Sequence, residues 1–137
     1  MFTHYSALIA SMVLVAGADR VMDDQELQMI GNLVQRLPVF QNYDINELPA
    51  DARRCGTILQ EEDGLQKALA AIAAALPDRL RETAYVVACD VAAANGVVAE
   101  TEARVLELLR QRLRLGRLVS AAIERAARAR HITLEQA

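Results

Sequence analysis

Tryptophan is absent from this 137-residue chain, and only 4% of its residues are aromatic. Aromatic residues are among those that strands prefer, so their scarcity argues against a sheet. Proline occurs three times and glycine six. Breakers are therefore rare, and long regular segments are allowed. The two cysteines, Cys55 and Cys89, have no CxxC spacing and form no disulfide framework, which suits a reducing compartment and predicts a cytoplasmic protein. No Lys or Arg precedes Arg20. The apolar run Ala7 to Ala18 thus lacks the charged flank of a signal peptide and reads as a helix of the mature fold. No apolar run reaches the roughly 18 to 20 residues of a membrane span. Catalytic signatures are missing as well. The two histidines, His4 and His131, lie near opposite ends, and nothing has the spacing of HExxH, a nucleophile elbow or a phosphate loop. No enzyme is expected and no small-molecule substrate is evident.

Hydrophobic residues are plentiful at 53%, dominated by Ala, Leu, Val and Ile, which favours helices around one core. The spacing predicts helices from Thr3 to Gly17 and, through Leu27, Ile30, Leu33 and Leu37, from Asp23 to Leu37. Pro38 ends the second. A short helix at Asp44 to Leu48 and another from Asp51 to Glu61 follow. Asp63-Gly64 break the chain before a stripe of Leu65, Leu69, Ile72 and Leu76. Pro77 opens a helix to Asn95, and two more occupy 99–114 and 117–129, parted by Gly116. The expectation is an all-α, compact single domain over 1–137, a bundle of six to seven helices. Residues from about 130 to 137 lack a useful apolar stripe and are expected to fray.

An internal repeat organises the chain. Shifted by 76, residues 15–37 fall on 91–113 with nine identities: Val15/Val91, Ala16/Ala92, Ala18/Ala94, Val21/Val97, Glu26/Glu102, Leu33/Leu109, Gln35/Gln111, Arg36/Arg112 and Leu37/Leu113. Each copy is an apolar helix, a tight turn opening on Asp or Asn, and an amphipathic helix with a Glu near its start. The two helix-turn-helix repeats, about 3–37 and 77–114, are expected to pack together pseudo-symmetrically, because one hairpin cannot bury its own apolar face. Asn95-Gly96 tolerate the left-handed backbone that closes a helix. Asp23 with Glu26 has capping-box spacing; Ala99 replaces that Asp in the second copy.

The paired turns, Ala16-Gly17-Ala18-Asp19-Arg20-Val21-Met22-Asp23-Asp24-Gln25-Glu26 and Ala92-Ala93-Ala94-Asn95-Gly96-Val97-Val98-Ala99-Glu100-Thr101-Glu102, resemble those of the tellurite-resistance TerB-like family. The segment from Asp63-Gly64-Leu65 to Ala75-Leu76-Pro77 is similar to that family's middle. The resemblance implies a compact helical bacterial protein of tellurite and other stress resistance. It further implies divalent-metal binding through acidic residues and partners at the inner membrane face. Arg20 and Asn95 depart from the pattern, and both lower the negative charge at the turns.

The residues themselves leave two readings of the acids open. Asp19, Asp23, Glu26, Asp90, Asn95 and Glu102 are candidate oxygen ligands for a divalent cation such as Ca, Mg or Zn. Equally, acids at these places cap helices and suit the positive N-terminal end of the dipole. Asp90 differs, since it falls beside a buried stripe and must be paired, ligated or protonated. Charge adds a second surface. Residues 1–109 carry 8 basic and 16 acidic side chains, whereas 110–137 carry 7 and 2. Arg110, Arg114, Arg117 and Arg125 are accordingly candidates for docking a protein partner or a membrane surface. No nucleic acid is expected, because the Arg-rich end, 110–137, has no Phe, Tyr or Trp on which bases could stack.

Overall fold

The structure is a computed structural model and describes residues 2–18, 24–94 and 96–137. Among the described residues there is no strand. Seven α-helices occur: α1 (His4–Ala16), α2 (Asp24–Arg36), α3 (Leu48–Leu59), α4 (Gly64–Ala75), α5 (Asp78–Ala93), α6 (Glu100–Arg112) and α7 (Arg117–Arg130). Short 3-10 turns cover Pro38–Phe40, Ile45–Glu47 and Leu134–Gln136. The all-α expectation holds.

The apolar run near the N-terminus becomes the axle of the molecule. Thr3 and Ser6 cap α1 reciprocally: Ser6 N–H donates to Thr3 Oγ1 at 3.0 Å, and Thr3 N–H donates to Ser6 Oγ at 2.6 Å. From Ser6 to Ala16 every residue of α1 is buried. A helix apolar on all sides belongs inside a bundle, and α2, α3, α4, α5 and α6 all pack against it, α5 most extensively. Ser11, buried among them, satisfies its hydroxyl on the Ala7 carbonyl at 2.9 Å. The two hairpins of the repeat meet here. α1 lies on α5, and each also touches the other's second helix, α1 on α6 and α2 on α5.

Two details differ from the sequence expectation. The helices expected at 44–48 and 51–61 join, because the Ile45–Glu47 turn runs straight into α3. Pro49 sits in the first turn of α3, where its missing N–H has no intrahelical acceptor to lose, so it does not break the chain. In α2 the buried stripe is Glu26, Ile30 and Val34, while Leu27 is 51% exposed. The expected stripe thus fails at Leu27 alone, where the Glu26 carboxylate takes the inner place, while Ile30 is buried and Leu33 and Leu37 pack half-buried against the core.

Gly64 is required at the α3–α4 junction. Asp63 adopts φ 55°, and a Cβ on Gly64 would lie 2.5 Å from the backbone oxygens of Ile58 and Leu59. Gly96 has φ +83°, as its place in the second turn predicts. Further on, Arg81 ties two helix ends together: its guanidinium donates to the carbonyls of Ala73 and Leu76 at the end of α4 and of Leu113 at the end of α6. These are orphan acceptors that a cation at a helix C-terminus satisfies well.

Candidate functional site

Of the six acidic-turn candidates, Asp19, Asp23 and Asn95 lie outside the described residues. Glu26 and Glu102, which are repeat equivalents, are both buried, at 2% and 3% exposure, in the first turns of α2 and α6. Glu102 Oε1 accepts the Ala99 N–H at 3.1 Å. It therefore supplies the N3 half of a capping box, although Ala99 cannot supply the other half. Asp90, 7% exposed, is a paired carboxylate. Its Oδ1 accepts from Nε and Nη2 of Arg130, the first at 3.2 Å, and lies 3.2 Å from His131 Nε2. Arg130 and His131 are thereby fastened to α5. Beyond them Ile132 and Leu134 are exposed, and the Gln136 side chain approaches Gly96. Among the described residues no group of three or more His, Cys, Asp or Glu could hold a metal ion. The described candidates alone do not form a cation site.

The more developed feature is a cleft. α5 packs on both α6 and α7, but α6 and α7 scarcely touch each other. A space of about 390 Å³ opens between them. Its floor is Cys89, Ala92 and Ala93 of α5, and its walls include Ala103 and Leu106 of α6 and Ala127 of α7. Tyr85 O–H donates to Glu124 Oε2 at one side. Burial, then the hydrogen bond to Glu124, raises the Tyr85 pKa, so the phenol stays protonated. Burial and the Glu124 charge push the Cys89 thiol up to about 12, which makes it poorly nucleophilic at neutral pH.

Charge around the cleft is uneven once partners are counted. Glu124 is engaged by Tyr85, and Glu107 pairs with Arg104 at 3.8 Å and accepts from Gln111 at 3.5 Å. The guanidinium groups of Arg110 and Arg128, which also line the space, make no hydrogen bond or ion pair among the described residues. Arg117 shares the cleft-facing side of α7, since Arg117, Glu124 and Arg128 are spaced i, i+7 and i+11. Arg125 is exposed on the flank of the same helix, and Arg114 is exposed just beyond α6. The charge count alone placed Arg110, Arg114, Arg117 and Arg125 together. It did not single out Arg128, whose signal is that same spacing, nor the small residues Ala92, Ala93 and Ala103.

Among the described residues, seven helices and no strand, gathered around a buried first helix, define a small helical-bundle protein. The family model described as "Tellurite resistance protein TerB" matches residues 5–126, nearly the whole chain, and the chain belongs to that family. No curated protein and no solved structure matches it. No helix among the described residues is long and apolar enough to cross a membrane.

Proposed function

We propose that this TerB-family chain serves resistance to tellurite and related stress as a binding module, not an enzyme, and meets a protein partner through the arginine-bearing face of α6 and α7. One observation carries the reading. The acids on that face are engaged within the chain, whereas Arg110, Arg117, Arg125 and Arg128 have no partner among the described residues. Free guanidinium groups steer and orient acidic partners. Action in the cytoplasm, at the inner membrane face, fits two thiols that remain free and the family resemblance. The test is survival on tellurite of a sensitive host carrying the wild type or the triple variant Arg110→Glu, Arg117→Glu, Arg125→Glu. Protection should be lost while the melting temperature stays within about 3 °C, because exposed charges contribute little to stability. Full protection by a folded triple variant would refute the docking face.

A second reading is a divalent cation, Ca, Mg or Zn, held by some of Asp19, Asp23, Glu26, Asp90, Asn95 and Glu102. It is favoured by the burial of Glu26 and Glu102 at equivalent places of the repeat, since buried carboxylates need compensation. Melting with and without each ion tests it.

A further inference from the structure

We infer that the cleft between α6 and α7 receives an amphipathic helix of another protein, with two or three apolar side chains set into the cleft and acidic residues on its flanks. The inference rests on the docking face proposed above and names what docks there.

The shape argues for a helix. Two helices stand apart over a third, and the floor residues Cys89, Ala92 and Ala93 are small enough to let a fourth helix approach. A volume of about 390 Å³ holds a few side chains, not a folded domain. An extended peptide would bring unpaired backbone donors and acceptors into an apolar groove. No strand among the described residues offers an edge to receive them, whereas a helix satisfies its own backbone.

Charge decides the flanks. Arg110 on the α6 wall and Arg128 on the α7 wall face the cleft from opposite sides, with Arg117 further along α7. Their acidic neighbours Glu107 and Glu124 already have partners. A guest with carboxylates beside its apolar stripe would complete these arginines; a basic guest would be repelled from both walls. A second copy of this chain fits poorly. Its acidic helix α2 exposes Leu27, but the next positions on that face are Ile30, which is buried, and Gly31, which has no side chain to offer, so only one anchor is available. Leu118 and Val119, exposed large apolar residues of α7, sit among its arginines.

The test uses a display library of randomised helical peptides, selected on the full chain and counter-selected on Ala103→Phe, which fills the cleft from an exposed wall position. Enriched peptides should carry aliphatic or aromatic residues at i, i+3 or i+4, and i+7, flanked by Asp or Glu. They should bind Arg128→Glu at least roughly tenfold more weakly than wild type, and weaken as salt is added. The inference is overturned if no peptide is enriched over the counter-selection, or if the enriched peptides are basic. It is also overturned if sedimentation shows a dimer that Ala103→Phe dissociates, because the occupant would then be a second copy. Loss of tellurite protection in the triple arginine variant, with no peptide enriched, would leave the docking face standing and remove the helix. Enriched acidic helices together with full protection by that variant would support the cleft and remove its role in resistance.

Discussion

Arg114 stands where many helices end on glycine. Leu115 N–H donates to the Arg110 carbonyl at 3.2 Å and Arg114 N–H to the Gln111 carbonyl at 3.1 Å, the bonding pattern of a Schellman ending. Arg114 accordingly holds φ 59°, a region that costs a residue with a Cβ on the order of 1 kcal/mol. Arg114→Gly should raise stability by roughly 0.5 to 1 kcal/mol, read as a shift in the urea midpoint at unchanged slope. An unchanged or lower midpoint would mean the arginine compensates through contacts of its own. The sequence does mark a helix break here, but Gly116 drew attention to itself, and the left-handed residue is two positions earlier. The cysteines make a second residue-scale case. Burial raises both thiols from 9.0 to about 12, with Cys55 shifted by burial alone. The folded state thus holds these protons more tightly than the unfolded chain. That contribution is complete below pH 9 and is lost as pH rises toward about 12. A thiol reagent at pH 8 should label the native protein far more slowly than the urea-unfolded chain; equal rates would contradict this placement of Cys55 and Cys89.

At the scale of elements, helix endings hold α4, α5 and α6 in place. Arg81 near the start of α5 closes the C-terminal carbonyls of two other helices. Arg81→Met should therefore cost about 2 to 3 kcal/mol in chemical denaturation, because charged donors leave three carbonyls. Arg81→Lys should recover less than half of it, since a point charge cannot reproduce the planar fork across separate acceptors. Full recovery by lysine would show that charge near the helix ends, not the fork, is what matters. Most helices were legible in the sequence because the apolar spacing, Pro38, Gly64 and Pro77 act locally. The contacts of Arg81 were not, because Leu113 is 32 positions away along the chain. The inner place of Glu26 escaped for a different reason: a carboxylate is read as outward-facing until packing shows otherwise.

For the whole molecule, the repeat led to the expectation that its two hairpins pack together, because paired hairpins must bury one another; α1 does lie on α5, with further contacts of α1 to α6 and α2 to α5. The site was less legible. Its cleft exists only where α7, which lies outside the repeat, falls on α5 and leaves α6 apart. What the acidic turns do is decided by a comparison that separates capping from ion binding. Glu102→Gln keeps an oxygen for the Ala99 N–H but removes the charge. If the turns hold a divalent ion, wild type should gain stability with one of Ca, Mg or Zn, by about 2.7 kcal/mol at a hundredfold excess over the dissociation constant. Glu102→Gln should lose that gain, yet without metal should melt at or above the wild-type temperature, because like charges gathered at the turns are relieved. Glu26→Gln should behave alike if both turns contribute. If the acids only cap helices, Glu102→Gln should melt within about 3 °C of wild type and no ion should move either curve. Asp90→Asn separates the sites further. The Arg130 and His131 contacts predict a loss of about 1 to 3 kcal/mol and faster hydrogen exchange over residues 130–137, with or without metal. A wild type indifferent to all three ions would remove the cation from this protein and leave the arginine face as its means of binding.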